Sequence, residues 1–217
     1  MILPGENHPY PRLRWFALLW LLLYLPTYAL SYGAWHFLAL CNLGVIVSSL
    51  GLLLGRPLLI GAPALLALLL GVIWLADVLW RLLLGSFLHG GTAYMWDPSI
   101  HWLTRTLSLY HLLWPPLLLY ALSRSGYDRR SLALQGGLTA LVLGIGVWPA
   151  PAAQNLNFVH AGFDLALAGA APSLRALVVA LLLGSAYGLT HLALCYLFKP
   201  AIRTWPRTPP RSPTPPD

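Results

Sequence analysis

Residues 101–116 read His101-Trp-Leu-Thr-Arg-Thr-Leu-Ser-Leu-Tyr-His111-Leu-Leu-Trp-Pro-Pro116, an apolar stretch with a histidine near its middle. Proline at position i removes the hydrogen bond to the carbonyl of residue i−4. Pro115 therefore frees the carbonyl of His111, and Pro116 frees that of Leu112. An ionisable ring beside an unpaired carbonyl is costly in hydrocarbon. The stretch predicts a membrane helix that carries a functional site.

The composition is typical of a membrane protein. Of the 217 residues, 58% are hydrophobic and only 9% are charged, whereas soluble domains carry roughly 25% charged residues. The formal net charge is +7, but the arginines lie at the ends of apolar runs, which argues against nucleic-acid binding. Cys41 and Cys195 fall at different predicted depths, so we expect no disulfide.

Six apolar segments predict an all-α, polytopic membrane helix bundle. Each approaches the roughly 20 residues that cross about 30 Å of hydrocarbon. The predicted spans are about 15–32, 35–54, 64–84, 101–122, 132–148 and 174–198. They form one membrane domain, 15–198, between a cytoplasmic N-terminus (1–14) and a disordered, Pro/Arg-rich cytoplasmic tail (199–217). A cleaved signal peptide that ends near Ala34 is the alternative for the first segment.

The basic residues predict the orientation of these spans. With both termini inside, ten of the thirteen Lys and Arg residues are cytoplasmic. The three on the outer side are Arg81, Arg105 and Arg175. The positive-inside rule therefore favours an N-in, C-in topology. Gly51-x-x-x-Gly55 and Gly184-x-x-x-Gly188 are candidate close-packing faces between helices.

Polar side chains on three consecutive spans fall at one predicted depth, roughly six to ten residues below the outer ends of their helices. They are Cys41, Asn42, Asp77 and His111. Burying four polar groups in one layer is costly unless they meet, so we expect them to converge in a pocket beneath the outer leaflet. His36 and Ser108 extend this pocket outward.

Each member of the layer has a structural alternative. Asp77 precedes Arg81 by four residues, so the two side chains can pair along one helix face. Asn42 can join two helices by hydrogen bonds, and Cys41 can be a small apolar filler. A neutral His111 can be satisfied by a neighbouring helix.

Arg105 and His101 lie four residues apart at the outer mouth of the fourth span, close to Asp97. The group can present positive charge to a lipid phosphate, although a snorkelling arginine is the preferred interpretation. His191, nearer the inner face, is interpreted as packing or a local hydrogen bond. We predict no metal site, because the histidines and cysteines lack tight ligand spacing and the acids are few. No cofactor is predicted either.

Two segments carry a resemblance to a known group. With Trp35-His-Phe-Leu-Ala-Leu-Cys41-Asn42-Leu and Ser108-Leu-Tyr-His111, the chain resembles the YwaF-like bacterial multi-pass membrane proteins. These are similar to the animal intramembrane lipid acyltransferases and hydrolases of the androgen-induced type. The resemblance covers roughly residues 33–160 and counts Asn155-Leu-Asn157-Phe as the group's external asparagine motif.

The resemblance implies roles for three residues: Cys41 as nucleophile, His111 as its base and Asn42 as an orienting neighbour. It also implies a place in the bacterial cytoplasmic (inner) membrane, with membrane lipids as partners. The chain departs from the hydrolase branch at Ala39, where that branch has a threonine. It departs again at Leu112, where a glycine is expected.

Three hypotheses of function remain open. The first is acyl transfer or ester hydrolysis, in which His111 deprotonates Cys41 and the thiolate attacks an acyl carbonyl. The second is a non-enzymatic accessory subunit of a larger membrane complex, with helix–helix partners and a pigment, haem or quinone bound through a histidine, since the many aromatic residues favour ring-bearing ligands. The third is a small transporter, against which stand the lack of repeats and the few charges in the spans.

Overall fold

A computed structural model of the chain describes residues 8–161, 167 and 169–201. Within these residues the chain forms seven α-helices and no β-strand. The helices are α1 (Leu13–Tyr32), α2 (Leu40–Leu54), α3 (Pro57–Leu84), α4 (Trp102–Leu107), α5 (Tyr110–Ser125), α6 (Ser131–Val147) and α7 (Pro172–Leu197). The predicted all-α class is thereby confirmed. Residues 1–7 and 202–217 of the two predicted termini lie outside the described residues.

Three helices, α1, α3 and α7, are long and apolar enough to cross a membrane. The apolar helices α2 and α6 have only 15 and 17 residues. At 1.5 Å per residue they extend about 22 and 25 Å, against about 30 Å of hydrocarbon. A short 3₁₀ turn, Ala34–Leu38, precedes α2. Membrane-type helices are therefore present, and the number of six spans stays a prediction.

The predicted fourth span is divided into α4 and α5 by a bend at Ser108 and Leu109. At the bend, backbone amides donate to the carbonyl three residues earlier in the chain: Leu109 to Thr106 at 3.1 Å and His111 to Ser108 at 3.2 Å. Such bonds tighten the chain into a 3₁₀ turn. The bend thus precedes the two prolines, which lie inside α5.

Helix α3 is the centre of the bundle and packs against α2, α5, α6 and α7. Small residues on α3 let its neighbours approach closely. A Cβ atom built on Gly71 would lie 2.8 Å from the carbonyl oxygen of His111 and 2.8 Å from Cγ of Pro115. The carbonyl that Pro115 leaves without a helical partner therefore lies against Gly71. Only glycine accommodates this contact without displacing backbone.

The two glycine pairs that the sequence marked for close packing differ in the structure. A Cβ atom on Gly51 would lie 2.8 Å from Cγ1 of Ile60, so this glycine does bring α2 and α3 together. Gly55 instead ends α2 in a left-handed conformation, with φ +62°. Gly184 and Gly188 have no atom of the described chain within 4 Å of a built Cβ. That face of α7 is not a helix contact within the described residues.

Helix α1 carries an aromatic ladder with a spacing of four residues. Its members are Phe16, Trp20, Tyr24, Tyr28 and Tyr32. Successive ring centroids are separated by 4.2 to 6.2 Å. Because residues four apart share a helix face, the ladder presents one aromatic side to α2, α4 and α5, and Tyr24 and Tyr28 are buried there.

Replacing Gly71 by alanine should destabilise the bundle, because the new methyl group would collide with the His111 carbonyl and the Pro115 ring. Overpacking of this kind costs about 1–3 kcal/mol. Gly184→Ala is the matched control, since its methyl group meets nothing and alanine favours a helix by up to about 1 kcal/mol. Thermal unfolding in detergent measures both variants. Equal unfolding temperatures would contradict the close contact between α3 and α5.

Candidate functional site

Asn42 is the hub of a buried polar cluster. Its Oδ1 oxygen accepts hydrogen bonds from the hydroxyls of Tyr24 at 2.7 Å and Tyr110 at 3.0 Å. The thiol of Cys41 donates to the same oxygen at 3.7 Å. The Nδ2 group donates to the backbone carbonyl of His36 at 2.9 Å. Asn42 thus joins α1, α2 and α5, and its amide is satisfied without a ligand.

Ser108 forms a second polar contact, between α1 and the bend that follows α4. Its hydroxyl donates to the carbonyl of Thr104 at 3.1 Å and lies 2.7 Å from the hydroxyl of Tyr28. Either hydroxyl of the Tyr28–Ser108 pair can be the donor. Ser31 and Thr104 add a hydroxyl contact at 2.7 Å. The predicted pocket residue Ser108 therefore serves to fasten α1.

The start of α2 is held by a distant asparagine. Asn157 accepts a hydrogen bond from the Leu40 amide at 2.8 Å and donates to the Leu38 carbonyl at 3.1 Å. Its backbone is left-handed, with φ +55°, a conformation that asparagine tolerates better than most residues. The Asn155–Asn157 segment, which the sequence marked as an external motif, thus fixes the first turn of the helix that carries Cys41 and Asn42.

The ring of His111 is held by two stacked aromatic rings and by one hydrogen bond. The Trp74 ring is stacked on it at 5.3 Å with an interplanar angle of 4°, and the Tyr110 ring at 4.1 Å with 24°. Its Nδ1 atom lies 2.9 Å from the carbonyl oxygen of Ser108. Because a carbonyl only accepts, Nδ1 carries the hydrogen and Nε2 holds the lone pair of the neutral ring. No hydrogen bond occupies Nε2 in the described part of the chain.

Cys41 and His111 line the same cleft between α2, α3 and α5. Its other walls are almost wholly apolar, and they include Gly44, Leu66, Ala67, Leu70 and Pro115. The space open to a water-sized molecule is about 20 Å³, which suffices for roughly one such molecule. Among the described residues no hydrogen bond joins the Cys41 sulfur to the His111 ring. The structure brings the predicted pair to one cleft, and its catalytic role stays a prediction.

Asp77 lies apart from this cluster, which corrects the expectation that all four polar side chains of the layer converge. Its carboxylate is completely buried. One oxygen accepts from the His89 amide at 2.9 Å, and the other accepts from the Thr92 amide at 2.8 Å and hydroxyl at 2.6 Å. Asp77 therefore fastens the connection between α3 and α4. Its alternative partner, Arg81, lies instead over the ring of Phe87 at 4.9 Å.

The same connection is attached to α3 at a second point, where the indole nitrogen of Trp74 donates to the hydroxyl of Tyr94 at 2.9 Å. Burial raises the pKa of Tyr94 to about 12, so its hydroxyl is protonated at neutral pH. Trp74 is also the ring stacked on His111. The connection between α3 and α4 therefore supports the histidine through Trp74.

The remaining predicted binding residues, His36 and Arg105, lie at the edge of the cluster. The His36 ring stacks on Tyr32 at 4.3 Å. Arg105 donates to the Met95 carbonyl at 3.3 Å, in the connection before α4. Neither side chain reaches the Cys41 cleft, and headgroup binding by Arg105 stays a prediction.

The outer mouth near Arg105 is otherwise built from local caps. His101 accepts a hydrogen bond from the Leu103 amide at 3.2 Å and so caps α4. Asp97 accepts from the hydroxyl and amide of Ser99 at 2.7 and 2.8 Å. These bonds lower the pKa of Asp97. His101 and Asp97, which lie next to Arg105 in the predicted headgroup site, therefore both have structural partners.

The aromatic partners of the site were not predicted from the sequence. Two of the donors to Asn42 are the hydroxyls of Tyr24 and Tyr110. One of the rings stacked on His111 is that of Trp74. The spacing of four between the rings of α1 was the signal that points to a shared aromatic face. Which polar atom each hydroxyl meets depends on helix packing and has no local signature.

Comparison with known proteins gives no relative: neither family models, nor curated proteins, nor solved structures match this chain. The resemblance carried by the segments around Cys41 and His111 therefore stays a prediction. Any functional proposal depends on the geometry of the cleft itself. Within the described residues, no group of three or more His, Cys, Asp or Glu side chains is arranged to hold a metal ion.

Replacing Asn42 by leucine should strongly destabilise the protein, because the buried hydroxyls of Tyr24 and Tyr110 would lose their acceptor. Each unpaired buried donor costs about 1–3 kcal/mol. Tyr24→Phe should cost less, since Asn42 keeps the bond from Tyr110. Thr27→Val is the control, because Thr27 is only partly buried and its hydroxyl bonds its own helix, at Leu23. The unfolding temperatures of the variants are measured in detergent. If Asn42→Leu unfolds at the same temperature as the Thr27→Val control, Asn42 is not the acceptor that the buried hydroxyls need.

Replacing Asp77 by alanine should release the connection between α3 and α4, because four donors lose their acceptor: the amides of His89, Gly90 and Thr92 and the hydroxyl of Thr92. Limited proteolysis with chymotrypsin reports this, since residues 85–100 contain Phe87, Tyr94 and Trp96. We expect faster cleavage there than in the parent protein. The control is Asp97→Ala, which removes an exposed carboxylate from the same connection. Indistinguishable cleavage of the two variants would show that Asp77 does not hold the connection.

Proposed function

We propose that this chain is a multi-pass membrane protein with six spans and both termini on the cytoplasmic side. The three long helices support this directly. The segment of α4 and α5 together, 102–125, and the shorter apolar helices α2 and α6 supply the other three spans. Hydrogen bonds from Tyr24 and Tyr28 tie α1 to the bundle, which favours a first span over a cleaved signal peptide. The excess of basic residues on one side supports the orientation.

The proposed activity is transfer or hydrolysis of an acyl group from a membrane lipid, with Cys41 as nucleophile and His111 as base. The observation that carries it is the shared cleft: Cys41 and His111 both line it, and the Nε2 lone pair of His111 has no other partner among the described residues. Catalytic bonds are often long in a protein without its substrate and shorten when the substrate binds. The proposed location is the bacterial cytoplasmic membrane.

The reaction proceeds in two steps. The hydrogen bond from the Cys41 thiol to Asn42 breaks, and the thiol transfers its proton to Nε2 of His111. The resulting thiolate attacks the ester carbonyl carbon. The C–O bond of the ester breaks, and the leaving oxygen takes the proton from His111. An alcohol or water then attacks the thioester, loses its proton to His111, and the sulfur regains a proton as the acyl group departs. Atoms and charges balance without an added oxidant or reductant.

The fixed histidine suits this role. Trp74 and Tyr110 both stack on the ring, and the Ser108 carbonyl accepts the hydrogen of Nδ1. A base held in one orientation loses little conformational freedom when the reaction begins. Asn42 keeps the thiol in place between reactions because it accepts the thiol hydrogen at 3.7 Å.

The size of the cleft argues against the accessory subunit that binds a pigment, haem or quinone. Pockets for ligands of that size run from about 300 to 1,000 Å³, whereas this cleft offers about 20 Å³. The reacting carbonyl of a lipid, whose tails stay in the bilayer, needs far less space. Acyl chemistry is therefore the hypothesis that the geometry supports better.

The test is acyl turnover in proteoliposomes of phosphatidylethanolamine and phosphatidylglycerol that carry a labelled acyl chain. Cys41→Ala and His111→Gln should each reduce turnover by at least about a hundredfold, the order of magnitude of general-base catalysis. Ser185→Ala should leave it unchanged, because Ser185 is exposed on α7 and bonds only to Leu181 of its own helix. Turnover that survives in both Cys41→Ala and His111→Gln would refute the proposal, provided that both variants unfold at the parent temperature.

A further inference from the structure

A second thiol lies in direct contact with a histidine, on helix α7. Cys195 and His191 are four residues apart on α7, and their Sγ and Nε2 atoms are 3.6 Å apart. The other ring nitrogen, Nδ1, lies 2.9 Å from the hydroxyl of Tyr127. Tyr127 is buried and belongs to the connection between α5 and α6. The sequence interpretation of His191 was packing or a local hydrogen bond. It did not predict the contact with Tyr127, which is 64 positions away.

The row Cys195–His191–Tyr127 has the order of a nucleophile, a base and a group that orients the base. If Nδ1 donates to the Tyr127 hydroxyl, Nε2 accepts the thiol hydrogen of Cys195. If Tyr127 donates to Nδ1, the Nε2 hydrogen points at the sulfur. Only the first tautomer leaves a lone pair on Nε2, so His191 can accept the thiol proton when Nδ1 donates to Tyr127.

Backbone contacts hold Tyr127 in place. Its amide donates to the Lys199 carbonyl at 2.9 Å, and its carbonyl accepts from the Ala201 amide at 3.0 Å. Gly126 permits this approach, because a Cβ atom there would lie 2.6 Å from the Lys199 carbonyl oxygen. The segment that follows α7 is therefore fastened to the connection between α5 and α6. The base of the row is positioned by an element other than its own helix.

The surroundings of the row favour a substrate with an anionic part and an apolar part. A cleft of about 240 Å³ borders Tyr127 and is also lined by Arg129, Arg130 and Asp128. Arg130 is paired with Asp128 at 2.7 Å, whereas Arg129 and Lys199 are exposed cations. Cations of this kind at the edge of a membrane attract phosphate groups.

The apolar part of such a substrate has a surface beside the thiol. Tyr196, the residue after Cys195, is 90% exposed, and the next residue, Leu197, is 64% exposed. Cys195 itself is half-buried. The end of α7 therefore carries exposed apolar side chains between Cys195 and the exposed cation Lys199.

We propose that Cys195 is an activated thiol that accepts an acyl group from a phosphate-bearing acyl thioester. The Cys195 proton passes to Nε2 of His191, and the thiolate sulfur bonds to the acyl carbonyl carbon. The C–S bond of the donor breaks, and the leaving sulfur takes the proton from His191. One thiol is exchanged for another, so no further reactant is needed. Tyr127 is a positioning residue, and the site is independent of Cys41.

The chain has only two cysteines, so Cys41→Ala leaves Cys195 as the single thiol. This variant, reconstituted in vesicles of neutral lipid, is incubated with a labelled long-chain acyl-coenzyme A, and hydroxylamine-sensitive label on the protein is measured over a range of pH. We expect labelling that Cys195→Ala abolishes and that His191→Gln slows at least about a hundredfold, as expected for loss of a general base. Tyr127→Phe should displace the pH profile while the protein stays folded.

A second arm separates the two parts of the substrate. Arg129→Gln with Lys199→Gln should slow labelling by acyl-coenzyme A but not by an uncharged acyl thioester of the same chain length. Labelling that His191→Gln leaves unchanged, or no labelling of the folded Cys41→Ala variant, would overturn the proposal. Either result leaves the Cys41 chemistry intact, because that chemistry is measured as lipid turnover in a chain that retains Cys41.

Discussion

The contact between Gly71 on α3 and the carbonyl of His111 on α5 is the constraint on which the bundle depends. Pro115 leaves that carbonyl without a donor from its own helix, and the glycine lets it lie against α3. Trp74, one helical turn beyond Gly71, then stacks on the His111 ring. The close contact between Gly71 and the His111 carbonyl therefore sets both the packing of α3 against α5 and the orientation of the His111 ring.

The polar interior is arranged around a few acceptors that each bind several donors. Asn42 accepts from three side chains, and Asp77 accepts from the connection between α3 and α4. An unpaired buried polar group costs about 1–3 kcal/mol, so these acceptors stabilise the bundle mainly by leaving few donors unpaired. They also divide the polar residues into two sets. Only the Asn42 set borders the cleft that contains Cys41 and His111.

The two cysteine–histidine pairs illustrate how far a sequence indicates chemistry. Cys41 and His111 were singled out by resemblance and depth, and they do share a cleft without a direct bond. Cys195 and His191 were set aside, yet they are in contact. A spacing of four on a helix is common and uninformative by itself. The contact between Tyr127 and His191 is what distinguishes this pair from other pairs at that spacing. No local sequence pattern predicts that Tyr127 lies beside α7.

The sequence by itself determined the all-helical class, the helices long and apolar enough for a membrane, and the segments that hold the polar residues. These follow from composition and periodicity, which are local properties of the chain. Only the tertiary structure decided that Asp77 holds a connection and not the pocket, that Asn42 meets Tyr24 and Tyr110, and that the fourth segment bends before its prolines. The physical reason is that a hydrogen bond between helices depends on how each helix is rotated against its neighbour. That rotation is set by packing across the whole bundle.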